Sequence, residues 1–317
     1  MMQGLARSAA LYPFALDPAR DALMLVEMAE ADYRAASFLD ERLGKRGAWV
    51  PAAQVAEALS GARDVRALHF IFHAGHVGST LLSRMLDETG AVLSLREPLP
   101  LRDPAVQEYL ETMLRLWERG FPDTEAVVLK ATSAAERFAP HLLAMRPDAR
   151  AVLLNVSAES YLATMLAGAN SAVDLNAQGP ERWHRLGGPL GAPVPQPKTL
   201  GELAAMSWLA ERLTQAQIAQ AFGARVLAVD FDRMLASPAQ ALSDVLRHLG
   251  LSPDTAAAIA AGSSLTRYSK APEQAYGPAL RRRVLDDARR LYPSEIKAAL
   301  GWLEALGRRY GSVAAVL

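Results

Sequence analysis

The stretch His69-Phe-Ile-Phe-His-Ala-Gly-His-Val-Gly-Ser-Thr-Leu-Leu-Ser-Arg-Met-Leu86 holds the residues best suited to chemistry. An apolar run ends at a turn containing Gly75 and Gly78, and Ser79 and Thr80 then open an amphipathic helix. Glycines let successive backbone N–H groups point inward, and a helix N-terminus adds partial positive charge, so the segment His73–Thr80 has the makings of an anion cradle. Two hydroxyls at the helix start can bind phosphate oxygens. A nucleotide-hydrolysing loop reads G-x-x-x-x-G-K-[ST]. Here His73 stands at the first glycine and Ser79 at the lysine. Without that lysine, and with no acid after a strand placed to hold Mg²⁺, ATP or GTP hydrolysis is disfavoured. The plain alternative is a tight strand-to-helix turn with no ligand. His69, His73 and His76 lie close in sequence, but strand alternation and the adjoining loop argue against a shared metal ion.

Such a cradle needs a sheet behind it. Four short apolar runs, Leu68–Phe72, Ala126–Leu129, Ala151–Leu154 and Arg225–Val229, suit strands buried on both faces. Helical patterns at Thr80–Glu88, Pro104–Arg119, Ala134–Ala144, Ala158–Ala167, Leu200–Ala221 and Pro238–Leu249 supply the crossovers. This order predicts a P-loop α/β fold with a mostly parallel, doubly wound sheet over residues 65–255. Residues 1–64 read as a helical segment, with patterns at Asp21–Ala36 and at Val50–Ser60 behind Pro51. Residues 256–317 read as helices packing on the core, including Pro278–Leu291 and Ser294–Tyr310. Between Asn170 and Lys198, five prolines and four glycines break every pattern, which suggests a structureless acceptor-covering loop or disorder.

Lys+Arg and Asp+Glu balance at 34 each over 317 residues, so the chain lacks the long-range attraction to nucleic acid of a basic protein. Any anion site must be local. There is no cysteine, which excludes disulfides and thiolate chemistry. No apolar run approaches a membrane span, and Arg7, Pro13, Asp17 and Arg20 interrupt the start of the chain where a signal peptide needs an apolar core. The expectation is a soluble, cytoplasmic protein.

The loop resembles that of the sulfotransferase family, whose 5′-phosphosulfate loop reads basic residue, Ser or Gly, Gly, Ser or Thr, Thr. His76-Val-Gly-Ser-Thr80 occupies those places, and Leu81 comes next. The resemblance continues through Leu95-Arg-Glu-Pro98, Val128-Leu-Lys130, Arg146–Leu154, Trp208, Arg225–Pro238 and Leu246–Leu251. It implies sulfuryl transfer from 3′-phosphoadenosine 5′-phosphosulfate (PAPS) to a hydroxyl or amine of a small-molecule, carbohydrate or peptide acceptor, with no metal. Gly75, His76, Val77, Gly78, Ser79 and Thr80 would then hold the donor. Glu97 would be the general base, Lys130 would stabilise the leaving phosphate, and His76 would donate to the sulfonate.

The resemblance departs at the 3′-phosphate. Alignment on Leu162–Leu166 puts Thr164 at the family's serine and Val156 at its arginine, so the charge is lost. Ser269 and Lys270 lie where the family brings Ser and a cation over the nucleotide. Arg267 and the run Arg281–Arg283 are further candidates, although such a run also suits a solvated helix face. A small-molecule phosphotransferase and a non-catalytic nucleotide-binding homologue are the alternatives.

Overall fold

A computed structural model describes residues 4–61, 65–168, 170–268, 271–275 and 277–317. Strands β1 (Leu11–Asp17), β2 (Ala22–Glu27) and β3 (Ala48–Pro51) pair antiparallel in the order β1-β2-β3, and the short helices α1 (Glu30–Ala35) and α2 (Ala52–Leu59) flank β3. This corrects the expected helical N-terminal segment. Met24 and Met28 fit a helix by spacing, but the turn between β1 and β2 decides otherwise. Asp17 accepts from the Arg20 N–H at 3.2 Å and Asp21 takes φ 45°, which folds the chain back so that Leu16 faces Leu23. Leu23 and Leu25 then enter the core.

Strands β4 (Ala67–His73), β5 (Val92–Arg96), β6 (Ala126–Lys130), β7 (Ala151–Asn155) and β8 (Val226–Asp230) form a second sheet in the order β5-β6-β4-β7-β8, parallel at every pairing. The earliest strand of this sheet in the sequence is therefore its centre. Because side chains alternate along a strand, Phe70 and Phe72 stack on one face at 5.7 Å with Val127 and Leu129, while Ile71 turns to the other with Val128, Val152 and Leu154. Each fully buried Phe or Leu adds roughly 1.5–3 kcal/mol, which makes β4 a stiff support for the loop at its C-terminal end.

Beyond β4 the chain forms helices α3 (Ser79–Asp87), α4 (Leu110–Trp117), α5 (Ala139–Met145), α6 (Ala158–Ala167), α7 (Ser171–Leu190), α8 (Leu200–Phe222), α9 (Phe231–Ala236) and α10 (Pro238–Leu249). The N-terminal sheet, α4 and α5 cover the Phe70 face; α3, α6, α8 and α10 cover the Ile71 face. The α7 helix corrects the expected structureless stretch. Leu175, Gly179, Arg182, Leu186 and Leu190 form a buried stripe at helical spacing. Their packing overrides the propensity of Pro180 and Pro189. After α11 (Ala256–Ala260), a hairpin of β9 (Arg267–Tyr268) and β10 (Ala271–Ala275) leads to α12 (Pro278–Leu291), α13 (Pro293–Arg309) and α14 (Gly311–Ala314). Among these, α13 buries Ile296, Ala299, Leu303 and Leu306 in the Ile71-face core.

His69 is buried in β4, and its Nδ1 accepts the Arg150 N–H at 3.1 Å. Burial, with Arg150 and His248 nearby, pushes its pKa from 6.5 down to about 4. The unfolded chain therefore takes up a proton before the folded one does, and stability falls as pH drops from about 6.5 to about 4. We expect a loss approaching 3 kcal/mol over that window, read by urea denaturation. In His69→Asn, which keeps an acceptor near the Nδ1 position, the His69 share of the step should vanish, leaving that of His248, whose pKa burial also lowers.

Candidate active site

The chain leaves the centre of the sheet at His73 and turns through Gly75 at φ 88°, His76 at φ 55° and Gly78 at φ 78°. His73 fixes the turn. Its Nδ1 accepts the Gly75 N–H at 3.1 Å, so its Nε2 carries the hydrogen and donates to the Ala131 carbonyl at 2.9 Å. This neutral tautomer ties the loop to the chain just beyond β6. Among the described residues, the backbone N–H groups of His76, Val77, Gly78, Ser79 and Thr80 find no backbone acceptor, and the buried Thr80 Oγ1 has no partner. Such donors are costly to leave unpaired, and an anion satisfies them together. At Gly78 the reason for glycine differs from a phosphate's need for close approach: a Cβ would overlap the Phe231 ring.

Glu97 comes directly after β5 and takes φ 54°, a left-handed conformation that costs a non-glycine residue about 1 kcal/mol or more. Its N–H donates to the Lys130 carbonyl at 2.7 Å, and its Oε1 accepts from the Lys130 ammonium. The Lys130 side chain is 0% exposed and that of Glu97 is 14% exposed. Lys130 lies 5.7 Å from the centre of the Phe38 ring. The structure thus places Lys130 beneath Glu97 rather than on the wall of the donor cavity, a correction to its expected place beside a leaving phosphate. Arg96, a natural surface partner for Glu97 by sequence, is instead buried and paired with Asp87.

Two cavities meet at this point, and His73, His76 and Glu97 line both. The smaller, about 340 Å³, is walled by the loop, Thr164, Phe231, Arg267 and Arg281. The larger, about 700 Å³, is walled by Phe38, Arg102, Arg137, Tyr161 and the α7 face bearing Asp174, Gln178, Glu181 and Arg182. His76 Nε2 reaches Asp174 at 3.3 Å across the junction. The 170–198 segment is therefore a helical wall of the larger cavity over its first two-thirds.

Val156 does not face the smaller cavity. It is packed in the core, its carbonyl accepts from Trp208 Nε1 at 3.0 Å, and it borders a third cavity with Arg212 and Asp230. The smaller cavity has a buried cation of its own, Arg281. Arg281 is 7% exposed, pairs through Nη1 with Asp232 at 2.9 Å, and lies 5.0 Å from the Phe231 ring centre. Its Nη2 is buried with no partner. Thr164 lines the same cavity, with Oγ1 donating to the Ser160 carbonyl at 2.7 Å, and Ser160 Oγ donates to Asp232 at 2.8 Å. Arg282 and Arg283 are exposed, as a solvated helix face requires. Ser269 and Lys270 lie outside the described residues. No group of three or more potential metal ligands occurs among the described residues, and no helix among them is long and apolar enough to cross a membrane.

A parallel sheet whose central strand runs through a glycine turn into a helix N-terminus is a P-loop α/β fold. Solved structures similar to the chain include several sulfotransferases. The sulfotransferase from Alicyclobacillus acidocaldarius matches at 16% identity and TM-score 0.41, covering 76% of this chain and 95% of that one. Mouse sulfotransferase SULT7A1 complexed with PAP matches at 13% identity and TM-score 0.44, covering 79% and 88%. The sulfotransferase domain of the Synechococcus PCC 7002 olefin synthase matches at 14% and 0.43, covering 72% and 89%. No family model and no curated protein matches the sequence. With TM-scores below 0.5 the likeness carries no argument: the fold is read from the sheet and the loop, and the function from the site.

Gly78 and Gly90 separate conformational strain from packing. Both have φ near 80°, but a Cβ at Gly90 meets nothing within 4 Å. Gly90→Ala should cost about 1 kcal/mol and Gly78→Ala a further 1–3 kcal/mol, measured by thermal or urea unfolding. Equal losses would show that the Phe231 ring yields freely.

Proposed function

We propose that the protein transfers a sulfuryl group from PAPS to a hydroxyl or amine acceptor. The observation that carries this reading is the meeting of two cavities at Glu97 and His76, one holding the cradle and Arg281, the other open to a second substrate. A donor with phosphates at both ends of its ribose matches the first cavity. The loop N–H groups and Thr80 would hold the 5′-phosphosulfate, and Arg281 with Thr164 the 3′-phosphate. Bound there, the donor supplies an electrophilic sulfur on a good leaving phosphate.

The chain's own residues supply the rest. Glu97 accepts the proton of the acceptor hydroxyl or amine as its oxygen or nitrogen bonds to sulfur. Lys130 holds Glu97 in its strained backbone position and balances its charge. The cradle N–H groups and the His76 ring stabilise the charge that passes to the leaving phosphate oxygen when the sulfur–oxygen bond breaks. Fixing both substrates on either side of one carboxylate gives the proximity that in-line transfer requires. The residue at the Walker lysine position is Ser79, which favours this reading over nucleotide-dependent phosphoryl transfer.

The first test needs no acceptor. 3′,5′-ADP without metal should raise the melting temperature by an amount equivalent to about 1.4 kcal/mol at ten times its dissociation constant. Arg281→Met should weaken its binding about tenfold or more, a contact worth about 1.5–3 kcal/mol, while 5′-AMP binding changes little. A response only to ATP with Mg²⁺ would favour the phosphotransferase alternative. Glu97→Gln should lower turnover by roughly 10²–10⁴ with 3′,5′-ADP binding unchanged, and an unaltered rate would remove Glu97 from the mechanism.

A further inference from the structure

The larger cavity has two chemically different walls. One presents Glu97. The other combines the turn Ser133–Phe138 with α7 and presents Arg137 and Arg182, beside Asp174, which faces His76, and Glu181. The Arg182 side chain is only 4% exposed. Its Nε donates to Glu211 at 2.7 Å and its Nη2 to Ser133 Oγ at 3.0 Å, leaving Nη1 without an acceptor among the described residues. The fully buried Glu211 also takes Arg185 at 3.0 Å. Burial opposes ionisation of Glu211, yet Arg182 and Arg185 hold its carboxyl below the usual range. Its neighbour Glu136 goes the other way: burial and the Glu211 charge push its carboxyl well above the usual range. Two guanidiniums therefore share one buried carboxylate charge, and the partly exposed Glu181 reaches Arg185 rather than Arg182, at 3.2 Å.

Arg137 stands on the same wall, one turn from Ser133. It donates to the Ala134 carbonyl at 2.6 Å and lies 4.6 Å from the Phe138 ring centre, with no carboxylate in ion-pair range among the described residues. Guanidiniums with spare donors facing a shielded cavity favour a planar anion that takes two N–H bonds. Phe38, Tyr161 and Met165 add apolar surface to the same cavity.

We propose that the acceptor is itself an anion: a hydroxyl compound bearing a carboxylate or phosphate, whose acid group docks on Arg137 and Arg182 while its hydroxyl meets Glu97. This rests on the sulfuryl-transfer reading above. It also assigns a purpose to the Arg182–Glu211 pair, which would otherwise place two charges in the core, flanked by the partly exposed Arg185, without need. The pair pre-orients a guanidinium so that the acceptor does not have to order it on binding.

The test is binding, measured calorimetrically on the whole protein with 3′,5′-ADP present. The probes are 4-hydroxybenzoate, 4-hydroxyphenyl phosphate and the neutral 4-hydroxybenzamide, which share one ring and one hydroxyl. At least one of the two anions should bind about tenfold or more tighter than the amide, and which of them does so distinguishes carboxylate from phosphate. Arg137→Gln should erase most of that preference. Arg182→Lys, which leaves Glu211 a cation but removes the planar fork, should reduce it several-fold. Binding of the amide as tight as both anions, no binding of any probe, or a preference untouched by Arg137→Gln would overturn the proposal. The response to 3′,5′-ADP alone is read in parallel. Its absence would count against the donor reading, whereas an intact donor response with no anion preference would count against this inference only.

Discussion

The site depends on backbone donors that the fold leaves without acceptors. A central strand buried on both faces delivers the chain to the end of the sheet, and the next turn must leave the interior before α3 begins. In doing so it turns the N–H groups of His76 to Thr80 away from any backbone acceptor among the described residues. Each buried donor left unmade costs about 1–3 kcal/mol, so the arrangement persists only because neighbours hold it rigidly. His73 ties the loop through its ring to Ala131, and Phe231 lies against the Cα of Gly78. A loop held this way binds an anion without first having to be ordered.

The charges around the loop obey the same economy of space. With 34 cations and 34 anions, the chain has no net charge to draw a ligand from a distance, and its positive groups act locally. Arg281 reaches the smaller cavity with one nitrogen committed to Asp232 and another uncommitted. Lys130 is committed to Glu97, and Arg96 to Asp87. Removing one partner of such a buried pair leaves a bare charge, a loss of about 3–5 kcal/mol, so the first pair ties the end of β5 to β6 and the second ties β5 to α3. Glu97 can hold its strained backbone because Lys130 grips it through both main chain and side chain.

The parallel core was legible because buried strands and amphipathic helices each impose a local pattern. Leu68–Phe72, Ala126–Leu129 and Ala151–Leu154 are apolar since both faces of the sheet are covered, and β4, β6 and β7 fall there. The N-terminal strands were not legible. Ala22–Glu27 satisfies period 2 and period 3.6 nearly equally, and only pairing with β1 and β3 decides between them. The α7 helix was hidden for the opposite reason. Pro180, Pro189 and three glycines argue against a helix locally, while the buried stripe from Leu175 to Leu190 outweighs them only once α8 is there to pack against.

By itself the sequence determined the loop, its glycines and hydroxyls, the alternation of strand and helix, and the absence of a Walker lysine. These are local properties, set by residue type and near-neighbour spacing. The tertiary structure alone decided what the loop faces. It put Glu97 over Lys130 across 33 residues of chain, withdrew Val156 into the core, and brought Arg281 to the smaller cavity beside Thr164, over a hundred residues earlier in the chain. Contacts between residues so far apart arise from how helices pack on a sheet, and no spacing within either segment encodes them.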